Sequence, residues 1–370
     1  MPDKVRVGVV GCGAISGAYL GMSKNFTIVE IAACADLNPA AAKSAAERFQ
    51  IPRVLGVEEL INDRNIDVVL NLTVPKAHAP IALQALRAGK QTYSEKPLGI
   101  NREEGQQILR EAAQRKLLVG CAPDTFMGAG IQTARKAIDS GAIGRPVAFT
   151  AFMMCPGHES WHPSPEFYYE VGGGPMFDMG PYYLTALLNL LGPVKRITGA
   201  ATIAIPERTI TSQAKFGKKV KVETPDHVCG TMEFAQGAAG VIVTTFATRF
   251  AEYNGSKPIT IFGTEGTMLV PDPNGFGGAV RVRRNSEPEL TDFPPVYRHA
   301  YERSVGLADM AYAIRSGRPF RANGQQAMAV LDLMQGFLDS SARGAAYSPV
   351  TPYERPLPMR ADLPFGVLED

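Results

Sequence analysis

Val5-Arg6-Val7-Gly8-Val9-Val10-Gly11-Cys12-Gly13-Ala14-Ile15-Ser16-Gly17 reads as an apolar strand that runs directly into a glycine turn and then a helix. Gly11 permits the tight turn. Gly13 lets the backbone approach a pyrophosphate, which then sits on the helix amino terminus. The third glycine falls one place late, at Gly17, with Ser16 in its slot, and both are small enough for helix–strand packing. Asp36 ends the next strand, about 20 residues on, where an acid accepts hydrogen bonds from an adenosine ribose. A carboxylate repels a 2′-phosphate, and Leu37 and Asn38 supply no cation, so the site favours NAD over NADP. Gly11, Gly13, Ala14, Ile15 and Asp36 are the cofactor-binding candidates from this stretch.

Outward from the turn, strand and helix alternate. Strands are predicted over 4–10, 27–35, 53–55, 67–72, 91–94 and 117–121. Helices are predicted to about Ser23, from Asn38 (cap) and Pro39 to Phe49, and over 57–62, 77–88 and 101–116. Proline at a first helical position and glycine after the last are strong start and stop signals. Such alternation predicts a doubly wound parallel sheet. The pattern then changes. A helix over 128–140 and a strand over 146–154 precede a helix over 182–191. Strand-like runs follow over 194–205, 220–223, 227–234, 240–248, 257–262, 267–270 and 280–284, with Gly, Pro and Asn between them. This is the grammar of a large, mostly antiparallel open sheet. Helices over 299–316 and 325–341 close the chain. The fold class is therefore α/β, with domains predicted at 1–123 (Rossmann), 124–345 (substrate binding and oligomerisation) and 346–370 (an extended, proline-rich tail).

Two domains suit the 370 residues. With 38 basic and 36 acidic residues the net charge is +2, which gives no footprint for nucleic acid or an anionic membrane. The five cysteines form no C-x-x-C pair and imply reduced thiols. The amino terminus shows no signal-peptide pattern, and the run at 182–191 is too short to span a bilayer. A cytoplasmic protein is expected. An open sheet with helices on one face is most simply covered by a second copy of the chain, so a homodimer or homotetramer through the C-terminal sheet is expected.

Glu95-Lys96-Pro97 closes what reads as the fifth strand. Ligands of open α/β sheets lie beyond the carboxyl ends of the strands, at the switch point of the strand order, so a lysine there can meet the reactive end of a dinucleotide. With this tripeptide added, the chain resembles the glucose-fructose oxidoreductase / inositol dehydrogenase / rhizopine-catabolism (Gfo/Idh/MocA) family over nearly its whole length. The resemblance includes Thr73-Val74-Pro75 with His78, Gly89-Lys90, Trp161, Gly172-Gly173-Gly174 with Asp178, and Gly263-Thr264-Glu265-Gly266. It implies that Thr73, Pro75, His78, Glu95, Lys96 and Trp161 face the cofactor, and that Lys96 lies beside the nicotinamide and a substrate hydroxyl. The family carries an aspartate and then, four residues on, a histidine as general base. Here the pair is Asp178 and Tyr182, a departure. Phenols titrate near pH 10, so a tyrosine base predicts an alkaline optimum for oxidation. The i,i+4 spacing would put both on one helical face, provided the helix does not begin as late as Gly180.

His158-Glu159-Ser160-Trp161-His162 matches H-E-x-x-H, which binds zinc only on a helix. Pro156, Gly157, Pro163 and Pro165 make it a loop, and no metal is expected. His158, Trp161 and His162 are read instead as pocket wall, with His162 where relatives carry arginine. Asp124, after the last parallel strand, suits a grip on sugar hydroxyls or, equally, a turn or cap. The leading expectation is NAD-dependent hydride transfer between a secondary hydroxyl of a sugar, glycoside or cyclic polyol and nicotinamide. Tyr182 takes the proton, Lys96 polarises the oxygen and Asp178 tunes the pair. The alternatives are a redox-assisted glycosidase or epimerase that recycles its NAD, and a non-catalytic NAD-binding regulator.

Overall fold

The computed structural model describes residues 3–249 and 258–369, which divide into two compact units. The first opens with β1 (Val5–Val10), α1 (Ser16–Ser23), β2 (Val29–Ala35), α2 (Pro39–Phe49) and α3 (Val57–Asn62). It continues with β3 (Val68–Asn71), α4 (Pro75–Arg87), β4 (Gln91–Ser94), α5 (Arg102–Arg115) and β5 (Val119–Cys121). The five strands are all parallel, in the order β2-β1-β3-β4-β5. The order reverses between β1 and β3, so the switch point lies beyond Val10 and Asn71. Predicted helix starts are borne out locally: Asn38 accepts a hydrogen bond from the Ala40 amide, and Asn101 from that of Glu104. Val10, Ala32, Ala33, Leu60, Ile66 and Val69 pack as core. The predicted strand over 53–55 is only a bridge between Val54 and Cys34. The strand before Glu95 is therefore the fourth, not the fifth.

The second unit contains α6 (Ala129–Asp139), β6 (Pro146–Met154), α7 (Gly174–Asp178) and α8 (Gly180–Leu191). The strands β7 (Val194–Thr202), β8 (Glu207–Thr209), β9 (Lys219–Lys221), β10 (His227–Phe234) and β11 (Ala239–Thr245) follow. Then come β12 (Ile259–Gly263), β13 (Gly266–Val270), β14 (Arg281–Arg284) and β15 (Thr291–Asp292). Eight strands form a sheet in the order β15-β14-β13-β12-β6-β11-β10-β7, antiparallel except where β11 runs parallel to β6. β8 and β9 pair separately. α8 is buried at every residue, as a helix apolar all round must be. The predicted strand over 257–262 begins at Ile259, and Lys257 lies outside the described residues, as do Met1 and Pro2.

Two helices remain, α9 (Val305–Ser316) and α10 (Gly324–Arg343). The division differs from the predicted 1–123, 124–345 and 346–370. The first unit runs to Gly128 and regains 297–328 and the residues from 356 on. Local pairing explains this: Asn323 bridges Gly120 of β5, and the Cys121 amide donates to the Ala322 carbonyl at 3.0 Å. The predicted tail has no helix or strand, but it is packed. Tyr347 exchanges backbone bonds with Ile197, and Arg321 holds the carbonyls of Leu357 and Pro358.

Candidate active site

The glycine turn is built as its sequence demands. Gly11 has φ +98°, and a Cβ there would lie 2.7 Å from the Leu72 carbonyl, so no other residue fits. Gly13 and Ala14 are exposed, and a Cβ on Gly13 would meet nothing within 4 Å, which leaves the backbone open to a ligand. The Ser16 hydroxyl fixes the turn by donating to the Gly13 carbonyl at 2.7 Å. Half-buried Ile15 is the N-cap of α1. Asp36 accepts from the Cys12 amide through Oδ2 and from the Asn38 amide through Oδ1, each at 2.7 Å, and so ties the turn to the end of β2. Its neighbour Leu37 is 94% exposed and brings no charge. An exposed turn at the switch point, on a helix amino terminus with a carboxylate beside it, fits a dinucleotide without a 2′-phosphate.

The ends of β3 and β4 form one linked cluster. Asn71 accepts from the hydroxyl of Thr73 at 2.6 Å, and its amide donates to the His78 carbonyl at 3.1 Å. His78, buried in α4 just after Pro75, sets Nδ1 2.7 Å from the Pro97 carbonyl and Nε2 3.0 Å from that of Thr73. Burial lowers its pKa, although both carbonyls favour the charged ring. The ring thus staples the Thr73 turn to the turn that carries Lys96. Glu95 is turned inward: Tyr19 donates to its Oε1 at 2.7 Å and the Lys96 amide to its Oε2 at 3.0 Å. Its carboxylate therefore braces the lysine turn from within. Lys96 itself is half-buried.

The second unit holds the other constellation. The chain breaks between α7 and α8, and Asp178 is the last residue of the first helix. Pro181 is the cause, since it has no amide for the Phe177 carbonyl and its ring would clash there. Asp178 and Tyr182 thus belong to two successive helices, joined at Met179. The His158 ring approaches Asp178, with Nε2 3.4 Å from Oδ2, beyond a good hydrogen bond. Both side chains are largely buried, at 12% and 15% exposed. His158 is enclosed by the rings of Tyr168, Phe246 and Trp161 at centroid distances of 4.1, 4.6 and 5.3 Å. Its loop is pinned from below. Arg208 donates to the Pro156 carbonyl at 2.9 Å, Glu159 at 2.8 Å and Asp226 at 2.8 Å, and the Tyr169 hydroxyl accepts from the His158 amide at 3.1 Å. Gly157, φ +101°, makes this possible, because a Cβ would lie 2.6 Å from the Tyr169 hydroxyl and 2.7 Å from Arg208. His162 accepts from the Ser164 amide at Nδ1, and burial lowers its pKa. Trp161 is 60% exposed and Tyr182 buried.

Residues 5–122 match the oxidoreductase family with an NAD-binding Rossmann fold, and residues 131–269 match the GFO/IDH/MocA C-terminal domain. The chain belongs to the Gfo/Idh/MocA oxidoreductase family. It is 29% identical over 219 residues to a 1,5-anhydro-D-fructose reductase of Ensifer adhaerens, a match that spans 58% of this chain but only 60% of that one. It is 28% identical over 293 residues to a levoglucosan dehydrogenase of Pseudarthrobacter phenanthrenivorans, covering 72% of this chain and 73% of the other. A solved levoglucosan dehydrogenase in complex with NADH and levoglucosan superposes with a TM-score of 0.78 at 22% identity, over 95% of this chain and all of that one. Gfo/Idh/MocA enzymes bind NAD through the domain that carries Gly11, Gly13 and Asp36 here.

The structure decides between the two readings left open for one candidate. Asp124, read as either a sugar grip or a turn or cap, is fully buried. Its Oδ2 accepts the amides of Ser304 and Gly306 at 3.1 Å, a negative charge on the amino terminus of α9. Burial raises its carboxyl pKa, opposed by Arg303 at 3.7 Å. Asp124 is a helix anchor and leaves the substrate set. Asn71 and Arg208 were missed. Asn71 had a signal, a lone amide ending the apolar run Val68-Val69-Leu70; Arg208 had none.

Proposed function

We propose that the chain oxidises a secondary hydroxyl of a sugar, glycoside or cyclic polyol, with NAD as the oxidant. NAD, when bound, supplies the hydride acceptor. Gly11, Gly13, Ala14 and Ile15 take the pyrophosphate, Asp36 the ribose, and Thr73 and Pro75 the neighbouring turn. The observation that carries the reading is Lys96, held at the carboxyl end of β4 by Glu95 beneath it and by His78 on Pro97. A cation fixed there lowers the cost of an alkoxide as the hydroxyl loses its proton. Asp178 holds the group that takes the proton. Tyr182, His158, His162 and the exposed ring of Trp161 contact the sugar. The names of the curated relatives, a sugar reductase and a sugar dehydrogenase, support the substrate class. The outer face of the second unit's sheet, uncharged over its central strands, supports a homo-oligomer, and five free cysteines support a cytoplasmic location. Among the described residues no helix is long and apolar enough to cross a membrane.

The test is NADH absorbance across a panel of sugars, glycosides and inositols, with products analysed in parallel. A substrate-dependent NADH signal that falls at least about 100-fold in Lys96→Met, with NADH affinity retained, is expected. Full turnover by Lys96→Met would overturn the assignment. Cleaved or isomerised substrate with a flat NADH trace would replace it with the redox-neutral glycosidase or epimerase.

A further inference from the structure

We propose that Tyr19 is a positioning residue for Lys96, fixing the Glu95 carboxylate that in turn fixes the lysine turn. The inference rests on the dehydrogenase reading above and deepens it. Tyr19 lies in α1, about one helical turn beyond Ser16 and the glycine turn that takes the pyrophosphate. Its hydroxyl donates to Glu95 Oε1 at 2.7 Å, and the other oxygen of that carboxylate, Oε2, accepts from the Lys96 amide at 3.0 Å. One side chain therefore joins the helix that seats the cofactor to the turn that carries the cation. All of these residues, and those that hold them, belong to the first unit.

Tyr19 is wholly buried and Glu95 nearly so. Burial pushes the Tyr19 phenol pKa up, with Glu95 and Asp124 adding to the effect, so the hydroxyl keeps its proton and remains a donor. The Glu95 backbone is held separately. Its amide donates to the Asn71 carbonyl at 2.8 Å, and its carbonyl accepts from the Cys121 thiol at 3.6 Å. What Tyr19 adds is the orientation of the side chain. A buried carboxyl oxygen that loses its donor turns toward another. Turning Oε1 away from α1 also takes Oε2 from the Lys96 amide, so the lysine turn loses its brace while the strand stays in place.

Tyr19 is itself fixed from a second side. Ser304 donates its hydroxyl to the Tyr19 carbonyl at 2.9 Å. It does so from a backbone φ of +95°, in the left-handed region that favours glycine. Its amide donates to Asp124 at 3.1 Å, and the residue is wholly buried. A glycine would suit the backbone at 304 and keep the amide contact, but only the serine hydroxyl reaches Tyr19. Strain kept at a buried position points to the contact it maintains. Asp124, Ser304, Tyr19, Glu95 and Lys96 thus form a continuous run of hydrogen-bonded residues that ends at the cation.

The experiment compares Tyr19→Phe and Ser304→Gly with wild type, alone and in the Lys96→Met background. Tyr19→Phe removes only the hydroxyl and should lose about 10- to 100-fold in kcat, with NADH affinity within about twofold of wild type. In Lys96→Met the same change should cost less than about twofold further, because the effect passes through the lysine. Ser304→Gly suits the backbone, removes the hydroxyl on Tyr19, and should lower kcat about threefold or more. A Tyr19→Phe enzyme with near-wild-type kcat, a loss that adds in full to that of Lys96→Met, or a fall in NADH affinity as large as that in kcat/KM would overturn the proposal. A second arm needs no substrate. Hydrogen–deuterium exchange of the Lys96 amide should quicken at least about tenfold in Tyr19→Phe and in Ser304→Gly, with the amides of β1 and β3 unchanged. Unchanged exchange at Lys96 would show that Tyr19 does not hold the turn and would end the proposal. Wild-type protein that binds NADH but oxidises nothing would remove the dehydrogenase reading and this role with it, while the exchange arm would still report on the turn.

Discussion

At the scale of single residues, His78 shows how a buried side chain can serve a reaction it does not touch. Its two nitrogens sit against two carbonyls that belong to different turns, one carrying Thr73 and one carrying Lys96. Replacement by leucine keeps the volume but strands the carbonyl to which the neutral ring donates. A loss of about 1–3 kcal/mol in urea unfolding is expected, with weaker NADH binding by fluorescence titration. An unchanged NADH affinity would show that the two turns hold their geometry without the staple. The sign with pH also follows. Burial lowers the folded pKa of His78, so the unfolded chain binds the proton more readily. Stability should fall as pH drops below about 6.5, the unfolded value, and this slope should vanish in His78→Leu. Residues of this kind are partly legible in sequence. Gly11 and Asp36 announce themselves because a tight turn and a ribose admit few residue types. Asp124 does not, because a carboxylate at a strand end reads the same whether it grips a sugar or caps a helix nearly two hundred residues later. Only the fold decides between them.

At the scale of elements, the loop over 155–164 and the turn over 165–169 are held by ion pairs remote from them in sequence. Arg208 is almost wholly buried and meets Asp226 and Glu159, both at 2.8 Å. Removing one member of a buried set leaves the others charged and unpaired. Arg208→Leu should therefore cost about 3–5 kcal/mol in denaturant unfolding and loosen the His158 loop. A cost below about 1 kcal/mol would mean that the backbone amides of Ala204 and Ile205 suffice for Asp226. Glu166, in the neighbouring turn, has its own signature. Burial would raise its carboxyl, but Lys215 at 2.6 Å and Lys218 at 2.8 Å overcome that and hold it at about 2. Its folded value lies below the unfolded one near 4.3, so its contribution is present above pH 4.3 and lost as pH falls toward 2. The pair is partly exposed, so the effect is about 1 kcal/mol or less, read as an acid limb of Tm that flattens in a Lys215→Met, Lys218→Met variant. Element type was largely legible, because strand–helix alternation and glycine–proline punctuation are strong local signals. The break at Met179 shows the limit: Pro181 was visible, but where the helix would restart on either side of it was not.

At the scale of the whole molecule, the second unit's sheet poses the question of its outer face. The paired registers set Thr198, Thr231, Val241, Thr150, Thr260 and Leu269 in one row across six strands. The opposite side carries the buried Ile197, Met232, Ile242, Ala151, Ile259 and Val270. Strand alternation therefore sends apolar residues inward, but the outward row is not the charged surface that a solvated antiparallel sheet presents. It is made of threonine and aliphatic side chains, and Val241 and Phe262 on this face are each 38% exposed. Charge appears toward both margins, where Arg196 pairs with Glu233 at 2.5 Å and where Arg281 and Asp292 continue the row beyond Leu269. A face uncharged at its centre with a charged rim has the composition of a self-complementary interface, and in the homo-oligomer proposed above a twofold pairing would bury its centre. A carboxylate placed in its centre would be buried against its own symmetry mate. On that proposal, Val241→Asp or Phe262→Asp should weaken association by about 2 kcal/mol or more, so that the variants sediment as monomers at micromolar concentrations where wild type self-associates. NADH binding per chain should be unchanged, because the cradle of Gly11, Gly13 and Asp36 belongs to the other unit. A wild-type chain that sediments as a monomer at these concentrations would show that this face meets water, and its threonines would then be its adaptation to solvent.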